Sequence, residues 1–254
     1  MKINLIFFIS QFDHGGAGNS IFRLCKNLSK KIYNINIICL NNCAYQVELK
    51  KKNIKIFNVK ATRTAFAMLE IRHIVKKIIS TKYKKNIFIS NINYSNILSV
   101  LFLKKLKMKL ILVERTPFQE LNIFFNLIDL FKKIIMKLLI RLTYKHADLC
   151  ISNSTYISSQ YNKKYHLKFR TINPPSYNNE INFINKSKKK NNVFTLGTVC
   201  RLTQEKGLFR FLNIISKLKF DFKFLIIGNG PHKKLLKNLV IKLNMENKVI
   251  FCGF

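Results

Sequence analysis

Short apolar runs alternate along this chain with longer segments whose apolar positions recur every three or four residues. A short run rich in β-branched residues reads as a buried strand, and a 3.6-residue repeat as a helix with one face on a core. On that reading, strands are predicted at 3–10, 35–40, 54–59, 86–90, 109–114, 148–153 and 170–173. Helices are predicted between them at 19–31, 65–80, 95–106, 127–145 and 154–165. This alternation specifies an α/β fold with a mostly parallel sheet covered by helices. The opening run "INLIFFIS" leads into a Gly-rich loop without a small-residue cleavage site, so it reads as a buried first strand and not as a signal peptide. No run of 18 apolar residues is present, so no simple membrane-spanning helix is expected.

The rhythm breaks at Asn173. "NPPSYNNEINFINKSKKKNN" carries two prolines, many asparagines and a lysine run, the composition of an interdomain linker. Its expected extent is 174–191, dividing a domain at 1–173 from a second at 192–254. Strands then follow at 193–200, 222–228 and 248–254, with helices at 206–218 and 231–244, the latter opening on Pro231 where a missing N–H costs nothing. Three strands and two helices make half of a doubly wound domain, so the second domain is expected to be incomplete.

Composition adds a strong charge bias. Lys and Arg number 46 against 11 acidic residues, giving +35, while 48% hydrophobic content supports a sizeable core. One reading is drift: Ile, Lys and Asn saturate every segment, and the lysines do not cluster. The other is an anionic partner such as a membrane surface, a nucleic acid or a phosphorylated substrate. The six cysteines form no CxxC pair and no His-paired spacing, so they read as reduced, mostly buried thiols of a cytosolic protein without a metal site.

Five stretches bear on chemistry. The first strand runs into "SQFDHGGAGNS" (10–20), where Gly15 and Gly16 permit close backbone approach and the next helix offers free N–H groups to an anion. Gly16 and Gly18 begin a G-x-G-x-x-G pattern, but Ile21 fills its third position and "CLNNCAY" holds no acid, which argues against NAD. His14, in the same loop, is a candidate for a sugar hydroxyl. In "TLGTVCRLTQEKGL", Arg201 and Lys206 flank a turn into a helix, with Gly207 leaving room for a phosphate; two solvated charges are the competing reading. "IIGNGPHKK" places Gly228 and Gly230 between a strand and a helix, as a plain turn or as a ligand loop. "LVERTPF" sets Glu114 and Arg115 at the end of a strand, facing a ligand crevice or pairing with each other. Finally, helix 127–145 carries an apolar stripe of Phe131, Ile134, Ile135, Leu138, Leu139 and Leu142, with Lys132, Lys133, Lys137 and Arg141 off it. Packing on the sheet is the expected reason for the stripe, and contact with an anionic leaflet the alternative.

Taken in order, "GGAGNSIFRLCKNL", "ADLCISNS", "TINPP", "LGTVCRLTQEKGL", "LIIGNGPHKKLL" and "VIFCGF" resemble the successive signatures of glycosyltransferase family 4, although Gly18 stands where many members carry Glu. The resemblance covers essentially the whole chain. It implies a GT-B fold of two Rossmann-like domains and retaining, metal-independent hexosyl transfer from a nucleotide-diphospho-sugar, with UDP as the expected nucleotide and no cofactor. It assigns Arg201, Lys206 and Gly207 to the donor diphosphate, together with Gly15 and Gly16, and makes Arg201 and Lys206 catalytic through stabilisation of the departing charge. Glu114 takes a catalytic place, His14 and Arg115 contact acceptor or sugar, and Gly228 and Gly230 lie near the nucleotide. The implied acceptor is a cell-surface polysaccharide, lipopolysaccharide or capsule glycan or a lipid-linked carrier, and the implied location cytoplasmic, with peripheral contact at the anionic inner face of the membrane. The family's Glu-x7-Glu motif would fall beyond Phe254, so the chain resembles a truncated member with little turnover of its own. Two further classes stand beside this one: a catalytically inactive remnant that binds a nucleotide or a partner, and a nucleic-acid binder suggested by charge but lacking any basic-aromatic module.

Overall fold

A computed structural model describes residues 1–124, 126–174 and 193–253. The chain divides into two compact units, Met1–Ile181 and Asn182–Phe254. The expected linker, 174–191, lies outside the described residues apart from Pro174.

In chain order the first unit comprises β1 (Ile3–Ile9), α1 (Gly16–Asn27), β2 (Tyr33–Leu40), α2 (Gln46–Lys51), β3 (Lys55–Val59), α3 (Thr64–Ile78), β4 (Lys85–Asn91) and α4 (Asn93–Leu103). It continues with β5 (Lys109–Glu114), α5 (Leu127–Thr143), β6 (Leu149–Ser152), α6 (Thr155–Tyr165) and β7 (Phe169–Thr171). The seven strands are ordered β3-β2-β1-β4-β5-β6-β7, and every pairing is parallel. β1 is apolar along nearly its whole length because both its faces are covered. Phe7 and Ile9 enter a core with α1 and α2; Ile6 and Phe8 enter a second core with α3, α4, α5 and α6.

Asparagines fix the register at the start of the central strands. The buried Asn4 side-chain oxygen accepts from Asn34 at 2.8 Å and Asn36 at 2.9 Å, and its amide donates to Asn86 at 2.9 Å. A slip of one residue would break all three bonds and turn every apolar side chain to the wrong face. α1 begins at Gly16, three residues earlier than its periodicity predicts, because Gly18 already packs inside the first turn. α6 starts where Ser154 caps it, its hydroxyl accepting from the Ile157 amide at 3.3 Å.

α5 departs from expectation. Its bounds match the periodicity, but the predicted stripe does not lie on the sheet: Phe131 is 68% exposed, Leu138 55% and Leu142 48%. Of the six stripe residues only Leu139 packs against the core, while the buried contacts come from the opposite side, Ile140, Thr143 and Met136. Lys133 turns inward, bonding the carbonyls of Glu120 and Ile123 and pairing with Asp129 at 3.5 Å. A regular stripe does not by itself say which side of the helix meets the protein, and here the narrower side does.

The second unit comprises β8 (Phe194–Val199), α7 (Leu208–Ile215), β9 (Phe222–Ile227), α8 (Lys233–Lys242) and β10 (Val249–Gly253). Its parallel sheet is ordered β10-β9-β8, the same arrangement as β3-β2-β1. Phe222, Phe224 and Ile226 of β9 point into a core shared with α7 and α8. β8 differs from β1: β1 is flanked by β2 and β4, whereas among the described residues β8 pairs with β9 alone and none of its residues is fully buried.

Candidate functional site

In the first unit the strand order reverses between β1 and β4, so the loops leaving their carboxyl ends form the crevice in which such sheets bind ligands. The β1–α1 loop supplies Asp13, His14, Gly15 and Gly16, all exposed. Gly15 is the residue preceding the first turn of α1, which has no side-chain cap, so the turn keeps its donors for an incoming group. The Asp13 carboxylate holds the loop by accepting from the Gly15 amide at 2.9 Å. His14 packs edge-on against Tyr45 with ring centroids 4.9 Å apart, and Tyr45 stacks on Phe22 at 4.3 Å. The two neighbouring glycines do different work. A Cβ on Gly16 would meet nothing within 4 Å, whereas one on Gly18 would lie 2.1 Å from the Asp13 carbonyl oxygen. Gly18 is therefore a packing requirement, and a Glu there would not fit this loop.

The β4–α4 turn faces the same crevice and escaped the sequence reading. Ile92 has φ 75, a β-branched residue in a left-handed region. That conformation costs on the order of 1–3 kcal/mol and persists only where neighbours impose it. Here Asn91 is held by its donation to the Phe8 carbonyl at 3.2 Å and Ile92 by its amide to Val113 at 3.0 Å. The visible signal was the polar run "SNINYSN" at a strand's carboxyl end.

Glu114 and Arg115 part company. The competing Glu–Arg pair does not form, because successive residues at the end of a strand point to opposite faces. Arg115 lines a cleft of about 210 Å³ with Asn91 and Asn153, over a floor of Ile111, Val113 and Ile151. It donates to the Asn91 side-chain oxygen at 3.4 Å, and burial lowers its pKa. Glu114 is wholly buried on the other side, where its Oε1 accepts from Asn96 at 2.7 Å and from the Tyr144 hydroxyl. Its Oε2 has no partner among the described residues. Burial raises its pKa to about 7, against the opposing hydrogen bonds of Tyr144, Asn96 and Tyr161. Glu114, given a catalytic place by the resemblance, is thus an interior carboxyl in the structure, bonded to Asn96 of α4 and to Tyr144 and not exposed to the crevice.

In the second unit, β8 leads through Cys200–Thr203 and a single helical turn, Gln204–Lys206, to Gly207 and α7. Gly207 has φ 71, a left-handed link that glycine adopts without strain. α7 has no side-chain cap and no acid in its first turn. Arg201 and Lys206 are both exposed. Lys206, Gly207 and the unanticipated Arg210 border a depression of about 390 Å³ beside Gly197 and Thr198; Arg201 stands outside its lining. Arg210 was legible as the residue one helical turn beyond Lys206. Glu205 accepts from the Thr203 hydroxyl at 2.6 Å, which lowers its pKa, with smaller contributions from Lys206 and Arg201. Gly228 and Gly230 act on this same loop. Cys200 donates to Ile227 at 3.0 Å, Leu202 to Asn229 at 2.9 Å and His232 to Leu202 at 3.1 Å. A Cβ on Gly228 would lie 2.0 Å from the Cys200 oxygen. The β9–α8 turn is thus the backbone support of the segment that carries Arg201.

Size does not select the site. A depression of about 590 Å³, larger than either of those above, lies at the amino ends of β4 and β5 among Lys84, Lys85, Lys105, Lys107 and Lys109, the opposite end of the sheet from the crevice loops.

This α/β architecture matches solved GT-B glycosyltransferases. The structure of Anabaena HepE in complex with UDP and glucose superposes with a TM-score of 0.71 at 16% identity, over 99% of this chain and 69% of that one. Residues 179–254 match the family described as glycosyl transferases group 1. A Campylobacter jejuni N-acetylgalactosamine-N,N'-diacetylbacillosaminyl-diphospho-undecaprenol 4-alpha-N-acetylgalactosaminyltransferase is 26% identical, covering 97% of this chain and 68% of its own length. An uncharacterized glycosyltransferase of Methanocaldococcus jannaschii is 28% identical, over 88% of this chain and 59% of its own.

Proposed function

We propose that this chain is a retaining glycosyltransferase of family 4, or the nucleotide-binding part of one. It would take a hexosyl group from a UDP-sugar and pass it to a lipid-linked or cell-surface glycan acceptor. The observation that carries this reading is the β8–α7 turn: Arg201, Lys206 and the uncapped start of α7 lie within the stretch that matches the group 1 family, and Lys206 borders a depression there with Arg210. Two cations and free backbone donors are suited to a diphosphate and to the charge that grows on it as the sugar departs. The exposed Gly15–Gly16 turn at the start of α1 offers a second set of donors of the same kind. In this role Arg115, with Asn91, is a contact for the acceptor or sugar, and no metal or other cofactor is called on. The Campylobacter relative's diphospho-undecaprenol acceptor supports the lipid-linked assignment.

Calorimetric titration of the full chain with UDP, in EDTA, tests the reading. UDP should bind, and Arg201→Ala and Lys206→Ala should each weaken it about tenfold or more, the usual range for a charge-assisted contact. Unchanged affinity in both variants would remove the diphosphate role. UDP binding without transfer from any UDP-sugar would leave the nucleotide-binding remnant as the function.

A further inference from the structure

Glu114 is a carboxyl with no exposed surface. An apolar side chain would fill its place at less cost than a carboxyl, which must be desolvated. The bonds made there do not fully offset that cost: Glu114 Oε2, Asn96 Oδ1 and the Tyr161 hydroxyl, all buried, have no partner among the described residues. What the carboxyl adds is direction. Its Oε1 accepts from the Asn96 side-chain amide at 2.7 Å, and the same amide nitrogen donates to the Val113 carbonyl at 3.1 Å. The Tyr144 hydroxyl, which also bonds Oε1, lies 3.4 Å from the Asn93 carbonyl.

Those bonds converge on one strained residue. The Val113 carbonyl that receives the Asn96 side chain also receives the Ile92 amide at 3.0 Å, and the Asn96 backbone amide donates to the Ile92 carbonyl at 2.9 Å. Ile92 is thereby held at its N–H and its C=O with φ 75, a conformation that a β-branched residue keeps only where it is imposed. α4 has no side-chain cap and no acid in its first turn, so its start is left to these bonds. Asn91, the residue before Ile92, accepts from Arg115 at 3.4 Å and is itself tied to the Phe8 carbonyl at 3.2 Å. Glu114 and Arg115 thus diverge to opposite faces of β5 and meet again through one turn: Glu114 orients Asn96, which holds Ile92, and Arg115 bonds Asn91. We propose that Glu114 is a positioning residue for the Arg115–Asn91 cleft, holding the β4–α4 turn in its strained form through Asn96. Its bearing on function rests on the reading of Arg115 as a sugar or acceptor contact.

The test is heteronuclear NMR of the Arg115 Nε–H group on the full chain, assigned by its loss in Arg115→Lys, together with hydrogen exchange at the Ile92 amide. Asn91→Ala supplies the signal of an Arg115 guanidinium that has lost its partner. Asn96→Ala leaves Glu114 in place and cuts only the link. It should move the Arg115 signal most of the way to its Asn91→Ala position and speed Ile92 exchange about tenfold or more. Glu114→Leu should do the same, whereas Glu114→Gln, which keeps an acceptor oxygen for Asn96, should stay near wild type. Adding Ile92→Gly to Asn96→Ala should return the signal toward wild type, because glycine adopts φ 75 without strain. A role in core stability alone predicts a lower melting temperature with the Arg115 signal unmoved. That result in Asn96→Ala would overturn the proposal, whether or not Glu114→Leu folds. Equal displacement of the signal by Glu114→Gln and Glu114→Leu would also overturn it, since an acceptor oxygen would then not be what sets the turn. All these readouts use the unliganded chain, so they are separate from the sugar-or-acceptor reading, which transfer from a UDP-sugar by Arg115→Ala tests.

Discussion

Gly230 lies so close to Leu202 that a Cβ on it would sit 2.4 Å from the Leu202 carbonyl oxygen and 2.6 Å from its amide nitrogen. The glycine has no side chain to offer a ligand; its absence of one lets the β9–α8 turn close onto the β8–α7 loop. Gly230→Ala must push that backbone away. We expect a loss of about 2 kcal/mol in unfolding free energy, in the range for steric overlap with backbone. UDP affinity should fall in parallel, because the displaced backbone is that of the loop carrying Arg201. Unaltered stability and affinity in Gly230→Ala would sink the account of this turn as a support.

The β1–α1 loop permits a cleaner separation. Gly16 faces open space at the start of a helix, so Gly16→Ala should fold as well as wild type or gain up to about 1 kcal/mol from helix propensity. If a diphosphate rests against that turn, the added methyl should still reduce UDP affinity. Gly18→Ala should destabilise the first unit before any ligand is added, because it meets the Asp13 carbonyl. Thermal melts and titrations of the two variants should therefore move in opposite order.

Glu114 makes stability depend on pH in a stated direction. Its pKa rises from 4.5 to about 7 on folding, so the fold favours the protonated carboxyl. The stabilisation is fully present below about 4.5 and is lost as pH climbs through 7. The gap corresponds to about 3 kcal/mol. Glu114→Gln removes the titration, so the difference in urea-unfolding free energy between wild type and variant should shift in favour of Gln by about that amount from pH 4.5 to pH 8. A constant difference across that range would show that the carboxyl is not desolvated as described.

Asn4 ties β1 to both its neighbours. Asn4→Ala leaves the Asn36 amide buried and unpaired, and should cost about 2–3 kcal/mol. In a double-mutant cycle with Asn36→Val, the two losses should sum to more than the double variant shows, since the second change removes the orphaned donor. Strict additivity would mean the asparagines do not act together.

Most of the backbone was legible because its strands are continuous apolar runs, a signal that survives without any partner in view; "INLIFFIS" and "FKFLII" are examples. What escaped was the assignment of faces. Alternation along "LVERTPF" says that Glu114 and Arg115 diverge, but not which of them reaches the crevice, since both faces of this sheet are largely apolar. The α5 stripe failed for the same reason: periodicity locates a face and leaves its neighbour unnamed. The glycines of the two loops were found by their setting, yet the distinction between Gly16 and Gly18, or the clasp of Gly230 on Leu202, is a matter of carbonyl positions that residue types do not encode. Asn91 and Ile92 were passed over because asparagine is common everywhere in this chain, which blunts it as a marker.

β8 carries one more consequence. Among the described residues the outer edge of β8 has no partner strand, so it holds a row of backbone donors and acceptors that a further strand can satisfy, and exposed Phe194 and Val199 give such pairing an apolar incentive. Little in β8 itself discourages this, since its "FTLGTV" contains no lysine and no proline. Colloidal repulsion among molecules of +35 would oppose such pairing between copies. Solubility in this protein should accordingly decline as ionic strength rises or as polyanions are added, the reverse of simple salting-in.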